Sequence, residues 1–289
     1  MNVIFQINGG IGKCIMATSV CKSIKEKYPE SKLIVVSGYP EVYLNNPYVD
    51  RSFAFGAAAY FYEDFLEKED FIVLGHDPYL ETGHLKQREH LTTTWSKMFS
   101  LPAADKKPEI FLTDRERQFF ANKFASEKPI LLLQTNGGAQ QQELKYSWAR
   151  DIPVNVVLPV IEEFKNDYHI VHIKREDQIG YPDTTPVSDN FRALCVLIEL
   201  SSKRLLMDSF AQHAAAALNK PSVVCWIANK PDVFGYDLHT NILPNKFTRK
   251  PELKHSYLQK FDISGNLIEF PYNNENEIFN IDEIISSLK

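Results

Sequence analysis

The feature that narrows the fold most is a succession of short runs that are almost wholly apolar, separated by glycine turns and stretches of helical spacing. "VIFQI" at 3–7, "KLIVVS" at 32–37 and "FIVL" at 71–74 form a first set. "PILLLQTNGGA" at 129–139, "YHIVHIK" at 168–174, "RLLMD" at 204–208 and "PSVVCWI" at 221–227 form a second. A strand with one wet face alternates apolar and polar residues, whereas a run without that alternation is covered on both faces. Such runs separated by helices make a parallel sheet. From Ile11 onward, Cys14, Ala17, Cys21, Ile24 and Tyr28 recur at helical spacing while Lys22, Lys25, Glu26 and Lys27 face outward. Further helices are predicted over 152–164, 190–202, 209–218 and 280–289. Pro159 marks a break or second start in the first of these, and Asn280 or Asp282 caps the last. The pattern restarts near residue 127, so the fold class is α/β: two doubly wound, Rossmann-like domains, 1–126 and 127–289, facing a cleft.

Composition supports this and removes some functions. A chain of 289 residues with 44% hydrophobic and 24% charged content builds real cores and carries no signature of disorder. Its net charge of −5 argues against nonspecific binding to nucleic acid or anionic membranes, although a local basic patch can override it. The longest apolar stretch, around Phe53–Tyr62, is too short to span a bilayer, and Met1–Ile7 reads as a strand without a basic leader. The four cysteines (Cys14, Cys21, Cys195, Cys225) form no CxxC pair and read as buried thiols. The expectation is a soluble protein of the cytoplasm.

The first glycine turn, "NGGIGKC" at 8–14, poses a choice. A phosphate loop of the G-x-x-x-x-G-K-[ST] type needs a glycine five residues before Gly12, where Ile7 stands. The K-G-G-x-G-K-T variant of partitioning-type ATPases meets Asn8 at its first lysine and Cys14 at its threonine. A thiol is a poor ligand for hard Mg²⁺. A deviant phosphate-loop ATPase is thus one reading. A plain tight turn is another, and a turn in which Gly9, Gly10 and Gly12 let a substrate approach a helix start is the third.

The second half bears on the choice. "NGGAQQQELKYSW" at 136–148 ends a strand in small residues and then offers Lys145 and Trp148. "LLMDSFAQHAAAALNKPSVVCWIA" at 205–228 runs strand, Asp-Ser, helix, turn and strand. Ser209 and the first-turn amides of that helix can hold a phosphate, with His213 one turn along. A helix cap at Ser209 and a core histidine at His213 are the simpler alternatives.

With these segments in order, and with "KEKYPESKLIVVSGYPEVYLNNPYVDR" at 25–51 between them, the chain resembles the GT-B glycosyltransferases related to the lipopolysaccharide heptosyltransferases, glycosyltransferase family 9. The resemblance covers most of the chain and is most specific from Asp208 to Pro221. It implies a nucleotide-sugar donor on the carboxyl-terminal domain and an acceptor facing the amino-terminal one. Lys145 matches the family lysine near the donor phosphates, Gly137 and Gly138 the turn beside the diphosphate, and Asp208, Ser209 and His213 the Asp-Thr-Gly…His segment around the donor. The implied chemistry is inverting transfer without a metal or resident cofactor, because a lysine and helix-terminal amides stabilise the departing diphosphate.

Two positions depart from the family. The aspartate that follows the first turn, its acceptor base, is Lys13 here, and the glycine of Asp-Thr-Gly is Phe210. A base must therefore come from elsewhere. "LGHDPYLETGH" at 74–84 follows a strand in the acceptor domain and supplies Asp77 first and His76 second, with Glu81 and His84 nearby. The acceptor is a glycan by family default. A modified DNA base is the alternative, suggested by Lys246, Arg249, Lys250, Lys254 and His255 within "NKFTRKPELKH" at 245–255. A nucleotide- or sugar-binding module without catalysis is a further reading, prompted by Lys13.

Overall fold

The chain folds around two wholly parallel sheets, and the helices that connect their strands lie on the sheet faces. The computed structural model describes residues 1–137, 150–245 and 272–289. The first half runs β1 (Asn2–Ile7), α1 (Ile11–Lys27), β2 (Lys32–Ser37), β3 (Arg51–Ala54), α2 (Phe61–Phe65) and β4 (Phe71–Leu74). Then come α3 (Thr82–Leu85), α4 (Leu91–Met98) and α5 (Asp114–Lys123). The second half runs β5 (Ile130–Leu133), α6 (Val154–Phe164), β6 (His169–Ile173), β7 (Thr185–Val187), α7 (Phe191–Leu200) and β8 (Lys203–Met207). It continues with α8 (Phe210–Ala217), β9 (Val223–Cys225), α9 (Pro231–Phe234), β10 (Thr240–Ile242) and α10 (Ile281–Leu288).

Strand order places the functional loops. The first sheet is ordered β3-β2-β1-β4 and the second β10-β9-β8-β5-β6-β7. In each, the chain winds outward from one strand and then returns to its other side. The switch falls between β1 and β4 in the first sheet and between β5 and β8 in the second. Loops at the carboxyl ends of such strand pairs diverge, and the crevice they leave is where ligands sit in α/β sheets. The turn at Gly9–Gly12, the Asp77 segment, the Gln134–Gly137 turn and Asp208 all lie at these four strand ends.

Alternate residues of the second sheet enter different cores. Leu131, Leu133, Leu205, Met207 and Cys225 pack with α6 and α10. Leu132, Leu206 and Val224 pack with α7 and α8, and this core is continuous with Val3, Phe5 and Ile7 of the first sheet and with Ile15 and Met16 of α1. The two halves thus share buried apolar material. The second face of the first sheet is thinly covered: α2 packs Phe61 and Phe65 against Phe53, while Phe71 and Val73 of the edge strand β4 remain about half exposed.

Predicted and observed elements agree closely where apolar periodicity is strong. One expectation fails: α6 continues through Pro159 without a break. Several elements lack an apolar stripe and were not anticipated, α5 among them. Its start is set by a capping box in which Thr113 and Glu116 bond each other's backbone amides. All four cysteines are buried thiols, and burial pushes Cys14 up to about 11. Among the described residues no helix is long and apolar enough to cross a membrane.

Arg204, at the start of β8, is buried against the end of α7. It donates to the Ser201 carbonyl, to Ser201 Oγ (2.9 Å) and, through Nη2, to the Pro221 carbonyl (2.9 Å). The guanidinium therefore satisfies carbonyls left open beyond the helix end. Burial lowers its pKa to about 10. Arg204→Leu is expected to lower stability by about 2–4 kcal/mol, since it orphans buried acceptors. Urea unfolding followed by circular dichroism measures this, and an unchanged midpoint would contradict it.

Candidate functional site

At the first switch point, the backbone explains two of the three glycines. Gly9 has φ +112°, a region that L side chains rarely adopt. A Cβ on Gly12 would sit 3.0 Å from His213 Cδ2 and 3.7 Å from Phe210 Cα, both on α8. The space beside Gly12 is thus filled by the facing half of the molecule. Gly10 is the residue before α1 and has open space around its Cα.

Lys13 folds back over this turn and across the switch point to β4. Its Nζ donates to Asp77 Oδ1 at 2.6 Å, lies 4.2 Å from the centre of the Tyr79 ring, and the residue is only 5% exposed. Burial lowers the Lys13 pKa, and the Asp77 hydrogen bond and charge oppose that shift. Asp77 Oδ1 also accepts from the Tyr79 amide at 2.9 Å, which caps the short 3₁₀ turn Pro78–Leu80. The Asp77 side chain remains 34% exposed. His76 and Glu81 are exposed, and His84 is buried in a stack on Tyr79 with ring centres 4.6 Å apart. The structure therefore joins Lys13 and Asp77 and leaves His76 outside that pair.

At the second switch point, Gln134 stitches β5 to the start of α8. Its Nε2 donates to Ser209 Oγ at 3.3 Å, and its Oε1 accepts from the Ala211 amide at 3.3 Å. Ser209 precedes α8 without a capping side-chain bond of its own. Asp208 accepts a hydrogen bond from Asn229 Nδ2. The Gly137 amide donates to Asp151 Oδ1 at 2.9 Å, and Asn136 Nδ2 donates to Asp151 Oδ2 at 3.0 Å. Burial raises the Asp151 pKa. Gly138 and Lys145 lie outside the described residues, as do Trp148 and the basic residues from Lys246 to His255.

The two switch points approach each other through aromatic and imidazole rings. Phe234, at the end of α9, meets Tyr79 (6.1 Å) and His84 (5.5 Å). His213 is buried, with Nδ1 2.7 Å from the Tyr236 hydroxyl. Burial pushes the Tyr79 phenol up, the Asp208 and Asp77 carboxylates add to that, and the Arg150 guanidinium opposes it. Tyr79, Gln134, Arg150 and Asp151 were not anticipated. Pro78-Tyr79 after Asp77 is a legible turn signal. Arg150 and Asp151 follow no periodic element, and nothing local marks them. Among the described residues, no three His, Cys, Asp or Glu side chains are grouped to hold a metal ion. A hollow of about 660 Å³ between Phe119, Phe120 and Asn190 lies on α5, away from both switch points, and its Glu116 and Arg192 are already paired.

Two parallel sheets whose switch points face one another make the GT-B architecture. Solved structures with this fold include the glycosyl transferase family 9 protein of Veillonella parvula, with a TM-score of 0.68 at 14% identity over 99% of this chain and 95% of that one. The ADP-heptose lipopolysaccharide heptosyltransferase II of E. coli gives 0.61 at 13% identity, over 100% and 98%. E. coli heptosyltransferase WaaC with ADP-2-deoxy-2-fluoro heptose gives 0.56 at 10% identity, over 92% and 100%. No family model matches the sequence, and a search of curated proteins finds no match. The likeness lies in the fold.

Burial of neutral imidazoles makes stability pH-dependent. Burial, the largest cause in each case, lowers His84, His90 and His172 to about 4 and His213 to about 3. In the unfolded chain these rings titrate at about 6.5. Their contribution is complete above that value and is lost as pH falls below it, because the unfolded chain then binds protons the native state refuses. The urea midpoint should be flat from about pH 8 to 7 and drop between about 6.5 and 5. His213→Asn should flatten the drop. A midpoint that rises in that window would show that the rings are not held neutral.

Proposed function

We propose that this protein is a glycosyltransferase that moves a sugar from a nucleotide-sugar donor to an acceptor hydroxyl, without a metal. The observation that carries the reading is the Lys13–Asp77 pair at the first switch point, opposite Asp208, Ser209 and Gln134 at the second. Where the resembled family has an aspartate, this chain has Lys13, and Lys13 holds a carboxylate brought from the next strand end. The acidic group is thus relocated rather than lost.

In this mechanism Asp77 is the acceptor base. Oδ1 is fixed by Lys13 and the Tyr79 amide, which restricts the carboxylate to one orientation. Oδ2 is then available to take the hydroxyl proton as the acceptor oxygen attacks the anomeric carbon of the donor. What these contacts give the carboxylate is a set position, which a general base needs. Attack from the Asp77 side, with the diphosphate leaving toward α8, inverts the anomeric centre. The helix-terminal amides of α8, with Ser209, favour the departing anion, and Lys145 is assigned to the same phosphates by the family resemblance.

A glycan hydroxyl is the acceptor proposed. One similar structure is a complex with ADP and another with an ADP-heptose analogue, so ADP conjugates are the first donors to try. The amino-terminal domain, 1–126, is assigned to the acceptor and 127–289 to the donor. The phosphate-loop ATPase reading is less favoured because the Lys13 ammonium is engaged by Asp77.

Asp77→Asn is expected to lower sugar transfer by about a hundredfold or more while leaving donor binding intact. Radiolabelled transfer and thermal melting with nucleoside diphosphate in EDTA measure the two separately. The exchange Lys13→Asp with Asp77→Lys should recover activity relative to either single change, since it returns the carboxylate to the family position. Full activity of Asp77→Asn would remove Asp77 from the chemistry.

A further inference from the structure

Resting on the glycosyltransferase reading, we infer that Arg150 is a donor-binding residue: it supplies a second cation, beside Lys145, to the diphosphate at the β5 turn. Two placements lead to it. The residues that follow Arg150 are strapped to the end of β5, with the Ile152 amide donating to the Thr135 carbonyl (2.9 Å) and Asp151 gripping Gly137 and Asn136. The strap delivers Arg150 to the turn whatever its own side chain does. The Arg150 side chain also reaches that turn, since a Cβ on Gly137 would be 3.6 Å from Arg150 Cζ and 3.1 Å from Met207 Cε. Gly137 therefore leaves room for the guanidinium and the Met207 side chain where a Cβ would stand.

The charge balance there gives Arg150 its task. Asp77, Asp208 and Asp151 bring carboxylates to this region, and of its cations Lys13 is already engaged by Asp77. The Gly137 amide, a natural donor to a phosphate, is spent on Asp151. A departing nucleoside diphosphate adds further negative charge and requires a cation that is not neutralised. Among the described residues no carboxylate lies within ion-pair distance of Arg150. Arginine suits the role because its planar fork bonds two phosphate oxygens at once and stays charged at every working pH. Asp151 is the positioning residue for it: its carboxylate shapes the turn on which the guanidinium rests.

The test uses the full chain and its Arg150→Gln and Arg150→Lys variants, melted in EDTA with ADP, UDP and GDP and, in parallel, with the matching nucleosides. The wild type should be stabilised by one nucleoside diphosphate more than by its nucleoside. Arg150→Gln should bind that diphosphate about tenfold to a hundredfold more weakly, with nucleoside binding unchanged. Arg150→Lys should fall between, because it keeps the charge and loses the fork. In transfer assays the donor KM should rise in the same order, with a smaller change in kcat. Equal diphosphate affinity in the wild type and both variants would overturn the assignment and leave the transferase reading standing. A wild type that binds none of the three diphosphates would overturn both. If Arg150→Gln does not fold, the comparison of Arg150→Lys with the wild type decides, since equal affinity and KM there would count against the fork.

Discussion

The contact of α1 with α8 at Gly12 and His213 is the constraint on which the rest of the site depends. Each helix begins shortly after a strand at a switch point, so pressing their amino-terminal ends together brings the two sets of strand-end loops face to face. The approach is possible because Gly12 has no side chain and because Ala214, Ala215 and Ala216 keep the buried part of α8 slim. His213 fills the remaining space and is held by Tyr236. A buried neutral ring in such a place serves shape and hydrogen bonding, and its depressed pKa is the consequence of that burial.

Given that juxtaposition, the electrostatics of the cleft follow from which charges are already paired. Lys13 is buried and tied to Asp77, so it acts as a fixed prop whose aromatic neighbour Tyr79 shields it from water. Asp151 is buried and spends its acceptors on the β5 turn. On the proposed assignment the exposed edge of Asp77 faces the acceptor and the Arg150 guanidinium the diphosphate, an acid–base group and an anion-binding group that transfer from such a leaving group requires. The same division explains why a Gly-Lys dipeptide after β1 need not signal a nucleotide loop. The lysine's partner is determined by the strand that returns beside β1, and here that strand delivers an aspartate.

Much of the fold was legible before any coordinates. Strands apolar throughout specified a parallel sheet, and α1, β2 and β4 fall where residue periodicity placed them. Asn280 caps α10, as its position before an apolar run suggests, and Asn190 caps α7. The elements that escaped are those whose signal is local geometry rather than periodicity. α5 has a capping box but no apolar stripe, because it contacts α7 largely through ion pairs such as Arg117–Glu199 and Glu116–Arg192. Pro159 sits inside a helix that packs Val156, Val157, Val160 and Ile161 into the core, and that burial outweighs one missing hydrogen bond.

By itself the sequence determined the class of sheet, the sites of the glycine turns and the chemical types available at each strand end, because these depend on side-chain spacing and backbone freedom along a few residues. It singled out Lys13 and Asp77 separately, 64 positions apart. Only the tertiary structure decided that they are partners, that Gly12 faces His213, and that Arg150 rests on Gly137. Those pairings depend on strand order, since β4 returns beside β1 and β8 beside β5. Strand order is settled by the packing of whole layers and leaves no mark in any short window of residues.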